Sequence, residues 1–296
     1  MCAGKSQCKM TSYSPLKLLC SFVLIHFIQV TLTGDPMCND EGAGKEKDWV
    51  LIYKPTDPKK GQKVNSEAVD TWVDVDLTAD ADTNLLRNIF DFVKTTADAV
   101  AIAYNGHAPR SPNPQARQTK STAEGMAYEM PNIYYQQNTE KATGTLKELA
   151  EGTVTTRRVA KYNAFNTSGK APTEFRTFSL KSNMDLYSSL MTIALKSTLI
   201  MWNIAGLGPE VVKKRCNAHL KVQYLNGTEF EVNSQKIERS KDNSVWMYSS
   251  KGKWVCFSSS PRQVSQRSAP KGAVCLKNDK VYEHFKGFIK KIESCP

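Results

Sequence analysis

The sequence has few of the residues that catalytic and metal sites usually require. It contains four histidines in 296 residues, and only His107, His219 and His284 lie beyond residue 33. No two cysteines are spaced as Cys-x-x-Cys, and no cluster of histidines lies near a cysteine. The pattern therefore predicts neither a metal site nor a cofactor.

Long apolar runs are also missing, with one exception near the N-terminus. Residues 18–30 are largely apolar, follow three lysines and precede a polar stretch, which is the layout of a secretory signal peptide. The run is interrupted by polar residues and is too short to cross a bilayer comfortably. We predict a signal peptide at residues 1–33 and a secreted protein without a stable membrane anchor.

Acidic residues are in the minority. The chain carries 40 lysines and arginines against 29 aspartates and glutamates, and removing residues 1–33 lowers the net charge from +11 to +8. A basic secreted protein is attracted to polyanions through contacts that salt weakens. DNA or another polyanion, bound weakly, is one predicted partner, and an unidentified protein is the alternative.

Five cysteines lie beyond the predicted signal peptide: Cys38, Cys216, Cys256, Cys275 and Cys295. In an oxidising compartment such cysteines form disulfides, and an odd number leaves one thiol without a partner. Asn166 and Asn226 each begin an Asn-x-Ser/Thr tripeptide, so both are predicted glycosylation sites.

Strand and helix patterns alternate along both halves of the chain. Residues 49–53 read as a buried strand and residues 56–66 as a loop. Asn226-Gly227 predicts a hairpin that joins residues 221–225 to residues 229–232. With an amphipathic helix at 279–292, these patterns predict a mixed α/β or α+β fold.

Several segments resemble the deoxyribonuclease II (acid DNase) family. The resemblance is carried by Cys38 with residues 48–54, by residues 100–105, by Asp185-Leu186-Tyr187-Ser188, and by a C-terminal block of residues 242–246, 251–256 and Cys275. It implies a phospholipase-D-like pseudo-dimer of two similar α/β halves, here residues 34–180 and 181–296. It also makes a lysosomal location an alternative to secretion.

In that family each half is expected to supply a His-x-Lys motif to one shared site. One histidine attacks the DNA phosphorus, the other protonates the leaving oxygen, and the lysines hold the phosphate charge without a metal. An acidic pH optimum follows, because one histidine must be neutral while the other is protonated.

Neither motif of this chain contains a histidine. The second motif places Asn243 and Val245 at the expected histidine and lysine positions, and the first places Gln118 and Lys120 there. Residues 122–125 offer a poorer alternative register for the first motif. We therefore predict an inactive member of the lineage. The alternative is an acid endonuclease that uses altered residues or completes its site in a dimer.

The resemblance implies disulfides that join Cys216 to Cys295 and Cys256 to Cys275. The family partner of Cys38 would lie in a block that is missing between Met126 and Pro131. The first half is therefore truncated, or the sequence derives from a shortened transcript or gene model.

Basic residues near the motifs are candidates to contact DNA phosphates, and the alternative for all of them is an ordinary solvated surface. The main candidates are Arg117, Lys120, Lys241, Lys251 and Lys253, with Arg110 and Arg262 as further ones. The five tryptophans are expected in the core rather than as platforms for base stacking.

Overall fold

The structure is a computed structural model of the full chain. It describes residues 21–22, 27–31, 38–39, 46–54, 59–77, 91–105 without 92 and 98, 132–153, 160–203 without 168, 170 and 182, 211–216 and 219–294. Several predicted residues lie outside this part of the chain: His107, Arg110, Arg117, Gln118, Lys120, the alternative register at 122–125, and Cys295.

Three small sheets form the first part of the fold, with orders β1-β5-β6-β7, β2-β8-β9 and β3-β4. The strands are β1 (Ser21–Phe22), β2 (Phe27–Thr31), β3 (Cys38–Asn39), β4 (Glu46–Lys47), β5 (Val50–Tyr53), β6 (Lys60–Asn65), β7 (Val73–Asp76), β8 (Val100–Asn105) and β9 (Asn132–Gln137). Strands β1 and β2 lie inside the predicted signal peptide, so this arrangement belongs to the chain before any cleavage.

A seven-stranded sheet forms the second part, with the order β10-β11-β18-β17-β16-β12-β13, and a hairpin of β14 and β15 lies beside it. The strands are β10 (Ala160–Asn166), β11 (Glu174–Leu180), β12 (Leu199–Trp202), β13 (Val222–Tyr224), β14 (Glu229–Val232), β15 (Gln235–Glu238), β16 (Trp246–Ser249), β17 (Trp254–Ser258) and β18 (Lys271–Lys277). All neighbours in this sheet are antiparallel except β12 and β13.

The helices whose bounds the structure describes are short. They are a 3₁₀ turn (Thr139–Lys141), α1 (Gly144–Ala150), a π-helical segment (Tyr187–Met191) that continues into α2 (Thr192–Leu195), and α3 (Asp279–Phe288). Within the described ranges, none of them has the length and apolar character needed to cross a bilayer. The predicted mixed α/β class is confirmed.

Two apolar clusters lie on opposite faces of the seven-stranded sheet, as the alternation of side chains along a strand requires. Trp246 and Tyr248 of β16 belong to the first cluster, which also contains residues of β5, β8 and α3. Val245, just before β16, and Met247 belong to the second cluster, which also contains residues of the π-helical segment and α2. The first cluster therefore joins the two parts of the fold.

The predicted strand at 49–53 is confirmed, because all four residues of β5 are buried. The predicted loop at 56–66 is wrong in its second half, where β6 pairs with both β5 and β7. The polar sequence of β6 does not indicate a buried strand. Gln62 is nevertheless buried, because its amide finds partners: it donates to Asp74 Oδ1 at 2.6 Å and to Gln235 Oε1 at 3.1 Å.

The predicted hairpin at Asn226-Gly227 is also wrong. The C-terminal segment occupies the pairing position: the Asn226 N–H donates to the Lys291 carbonyl at 2.7 Å, and the Glu293 N–H donates to the Tyr224 carbonyl at 2.8 Å. Strand β14 pairs with β15 instead, through a two-residue turn at Asn233 and Ser234. Both turn residues have positive φ, 48° and 62°, as the tight turn of a twisted hairpin demands.

Candidate functional site

The second motif forms a turn, residues 241–245, that leads into β16 at one end of the seven-stranded sheet; we call this end the motif edge. Alternate residues of the turn have opposite environments. Asp242 and Ser244 are buried, with Trp246 beyond them, whereas Asn243 between them is exposed. Val245 is 2% exposed and belongs to the second apolar cluster.

Asp242 is the centre of a buried hydrogen-bond network. Its Oδ2 accepts from the Tyr53 hydroxyl at 2.6 Å, from the Trp202 indole at 2.8 Å and from the Ser244 hydroxyl at 2.7 Å. Its Oδ1 accepts from the Ser244 backbone N–H at 2.9 Å. Burial, and then the charge of Asp242, raise the pKa of Tyr53 well above its usual value, so the phenol stays protonated as a donor. The network ties β5 of the first part to the motif turn of the second.

Aromatic and cation–π contacts pack the residues on either side of the same turn. The Trp202 and Trp246 rings stack at 6.0 Å, and the Arg239 guanidinium lies 3.9 Å from the centre of the Trp202 ring. All five tryptophans are buried, which confirms their predicted place in the core. None of them is positioned as an exposed platform for a nucleic-acid base.

At the two positions where the resemblance expects a histidine and a lysine, this chain carries an amide and an aliphatic side chain. The Asn243 amide can form hydrogen bonds, but it neither attacks phosphorus nor exchanges a proton near neutral pH. The Val245 side chain has no charge, and its surroundings are apolar. Asp242, Ser244 and Trp246, which belong to the block that carries the resemblance, are thus residues buried in the core.

A second network lies near this edge, in the segment Asp185-Leu186-Tyr187-Ser188. Arg262 donates to Asp185 Oδ2 through Nε at 2.9 Å and through a terminal nitrogen at 2.6 Å. Its other terminal nitrogen donates to the Val212 and Lys213 carbonyls and to the Tyr224 hydroxyl. The Arg262 side chain is 4% exposed. The prediction that Arg262 contacts DNA phosphates is therefore wrong, because its guanidinium donates hydrogen bonds to groups in the protein interior.

The Asp185–Arg262 ion pair makes the stability of the protein depend on pH in the acidic range. Burial alone would raise the pKa of Asp185, but the charge and hydrogen bonds of Arg262 lower it below its ordinary value overall. The pair therefore contributes its full stability above the unfolded-state pKa of about 4 and loses it as the pH falls through the folded-state pKa. We expect thermal unfolding scans to show this loss only below about pH 4. An Asp185→Asn/Arg262→Gln variant should be less stable and should have a shallower acid limb; an unchanged limb would contradict the assignment.

The described histidines take no part in the motif edge. The His284 Nε2 atom lies 2.6 Å from the Val69 carbonyl oxygen, and its ring packs edge-on against Trp72. His219 is exposed in the segment before β13. Within the described residues, no group of three or more His, Cys, Asp or Glu side chains is placed to hold a metal.

The predicted phosphate-contacting lysines do not converge. Lys241 lies on the motif turn, where its ammonium pairs with Glu238 at 3.0 Å. Lys251 and Lys253 lie in the turn between β16 and β17, beyond the far end of β16, whose four residues span roughly 13 Å. Lys253 is paired there with Asp279. A single DNA phosphate therefore cannot contact both Lys241 and this turn.

Strands β17 and β18 bring Cys256 and Cys275 opposite each other, and the two form a disulfide. This is one of the two pairings that the resemblance implies. Cys216 is also disulfide-bonded. Its predicted partner, Cys295, lies outside the described residues.

The chain is a mixed α/β protein whose seven-stranded sheet ends in a turn built around the buried Asp242 carboxylate. Residues 112–295, well over half of the chain, match the family model of deoxyribonuclease II. The chain therefore belongs to the deoxyribonuclease II family.

Two curated relatives are similar to parts of the chain. Plancitoxin-1 of Acanthaster planci is 29% identical over 136 residues, which are 44% of this chain and 37% of the relative. Cell-death-related nuclease 7 of Caenorhabditis elegans is 26% identical over 117 residues, 39% of this chain and 31% of the relative. The matched segments thus span about a third of each relative's length.

Proposed function

We propose that this protein is a secreted, catalytically inactive member of the deoxyribonuclease II family that acts by binding nucleic acid or a protein partner. The observation that carries the proposal is the position of Val245, which is 2% exposed in an apolar cluster where the family chemistry needs a lysine. Asn243, the neighbouring motif position, is exposed but has no group for proton transfer. Binding through phosphate contacts requires neither residue.

The remaining features of the proposal concern the chain as a whole. Residues 1–33 act as a signal peptide, and residues 34–180 and 181–296 are the two halves of a phospholipase-D-like pseudo-dimer, the first of them shortened. The Cys256–Cys275 disulfide suits an oxidising compartment. The predicted glycan acceptors Asn166 and Asn226 are both exposed, so each can carry a glycan without disturbing the core.

We expect the purified mature chain to leave supercoiled plasmid DNA intact between pH 4 and pH 8 with chelator present. The reason is that neither motif supplies a histidine, and one step of the family reaction needs a nucleophile while the next needs a proton donor. The measurement is conversion of supercoiled to nicked plasmid on agarose gels, with an active deoxyribonuclease II as positive control. Nicking that exceeds that of a Lys120→Ala variant would establish the active alternative.

DNA binding, by contrast, should be measurable and should depend on Lys241. Each phosphate contact adds about 0.9 to the slope of log affinity against log salt concentration. We expect Lys241→Ala to lower that slope by about one contact in a titration with duplex DNA. The matched control is Lys277→Ala, which removes a similarly exposed and ion-paired lysine at the other end of the sheet. Equal effects of the two changes would contradict a DNA surface centred on the motif edge.

A further inference from the structure

Three lysines from separate segments meet at the end of the seven-stranded sheet opposite the motif edge. They are Lys196 after α2, Lys221 before β13, and Lys251 in the turn between β16 and β17. Backbone anchoring to Ser197 and Thr198 holds them together: the Lys251 N–H donates to Ser197 Oγ at 2.9 Å, and the Lys221 N–H donates to Thr198 Oγ1 at 3.0 Å.

Backbone hydrogen bonds also link these segments directly. The Thr198 carbonyl accepts from the Ser250 N–H at 2.9 Å, and the Lys221 carbonyl accepts from the Leu199 N–H at 2.9 Å. Segments bonded in this way keep their Cα atoms about 5 Å apart. The three ammonium groups therefore rise from one patch of surface rather than from independent loops.

Their charges are not compensated within the part of the chain that the structure describes. Nearby lysines show the contrast: Lys253 pairs with Asp279, and Lys277 lies 3.7 Å from Glu174. No carboxylate of the described residues pairs with Lys196, Lys221 or Lys251. The patch therefore repels cations and attracts anions more strongly than the surrounding ion-paired surface does.

An exposed apolar side chain completes the patch. Ile193 is 61% exposed, the highest value among the large exposed apolar residues of the described chain. It lies one helical turn before Lys196, whose N–H donates to the Ile193 carbonyl at 3.2 Å. A bulky aliphatic group beside lysines that no described carboxylate neutralises is the composition of surfaces that lie on anionic membranes.

The same surface is poorly suited to nucleic-acid bases. The aromatic residues nearest to it in sequence, Tyr224, Tyr248 and Trp254, are all buried, and the Arg176 guanidinium lies 4.5 Å from the centre of the Trp254 ring. Base stacking needs an open ring face. Phospholipid head groups need none, because ammonium groups reach the phosphate layer while an aliphatic side chain enters the interface.

We propose that Ile193, Lys196, Lys221 and Lys251 form a docking surface for anionic phospholipid membranes. This surface is separate from the motif edge, so the protein can dock on a membrane while the motif edge stays open to another ligand. The inference does not depend on whether the protein has nuclease activity or binds DNA.

The test is co-sedimentation of the full mature chain with vesicles of phosphatidylcholine alone and with vesicles that also contain phosphatidylserine. We expect binding to the anionic vesicles only. Each lysine should strengthen partitioning by about fivefold, so a Lys196→Ala/Lys221→Ala/Lys251→Ala variant should bind on the order of 100-fold more weakly. Ile193→Ser should weaken binding severalfold while leaving the charge unchanged.

A control variant, Lys60→Ala/Lys286→Ala/Lys290→Ala, removes the same total charge from three exposed lysines on β6, on α3 and just after α3. It should bind anionic vesicles like the unaltered chain, and thermal unfolding should show that every variant is folded. Equal losses in the two triple variants would overturn the proposal, and so would equal binding to neutral vesicles. Retention on heparin without any vesicle binding would overturn it in favour of a sulfated glycan.

Discussion

Replacing Asp242 with alanine should lower the free energy of unfolding by about 4 kcal/mol, since it leaves buried donors without an acceptor. The Tyr53 hydroxyl and the Trp202 indole both donate to this carboxylate, and both residues are fully buried. Each unpaired buried donor costs about 1–3 kcal/mol. The Ser244 N–H would also lose its partner in the turn. Urea unfolding followed by tryptophan fluorescence measures the change directly.

Asn243→Ala is the matched control, because it changes the next residue of the same turn at an exposed position. Its effect should stay within about 0.5 kcal/mol. Tyr53→Phe, which removes only one donor, should fall between the two variants at about 1–2 kcal/mol. If Asp242→Ala and Asn243→Ala were equally mild, Asp242 would not hold the two parts of the fold together.

This contrast separates two roles that one short motif combines. Asp242, Ser244 and Trp246 face the core that joins the two parts of the fold, whereas Asn243 and Val245 occupy the alternate positions, where the resemblance expects a histidine and a lysine. A different residue at position 243 therefore leaves the Asp242 network in place. Under the proposed function, the motif turn contributes to stability even though it supplies no catalytic group.

The sequence predicted those parts of the fold that depend on local pattern. Strand β5 was predictable because residues 49–53 form an unbroken apolar run rich in β-branched and aromatic side chains. The buried tryptophans followed from their size and apolar surface. None of these inferences needed a distant part of the chain.

The sequence did not predict features that depend on partners far away in the chain. Strand β6 is polar, and it is held by β5, β7 and the tip of the hairpin, where the Asn233 amide donates to Gln62 Oε1 at 3.1 Å. The Tyr53 contact to Asp242 spans 189 residues. A tyrosine at the end of a wholly apolar strand was the available signal, because its buried hydroxyl must find an acceptor. The signal does not say which acceptor.

The position of Val245 also predicts what happens when the family residues are restored. An Asn243→His/Val245→Lys variant places an ammonium in the second apolar cluster, where burial can depress a lysine pKa by about 3–5 units. We expect the free energy of unfolding to fall by about 3–5 kcal/mol at neutral pH. Asn243→His alone should change it by no more than about 0.5 kcal/mol, because that position is exposed.

The pH dependence distinguishes buried charge from simple overpacking. A lysine with a depressed folded-state pKa binds its proton more weakly in the folded state than in the unfolded state, so stability rises with pH between the two pKa values. The cost is therefore greatest at acidic pH, where the family reaction would run. Val245→Met, similar in length but uncharged, should lose about 1–3 kcal/mol with no such dependence. Equal, pH-independent losses in the two variants would show that the introduced ammonium reaches solvent.

The double variant should still fail to nick plasmid DNA, because Gln118 at the first motif supplies no second histidine. Nicking by this variant would show that one motif is enough.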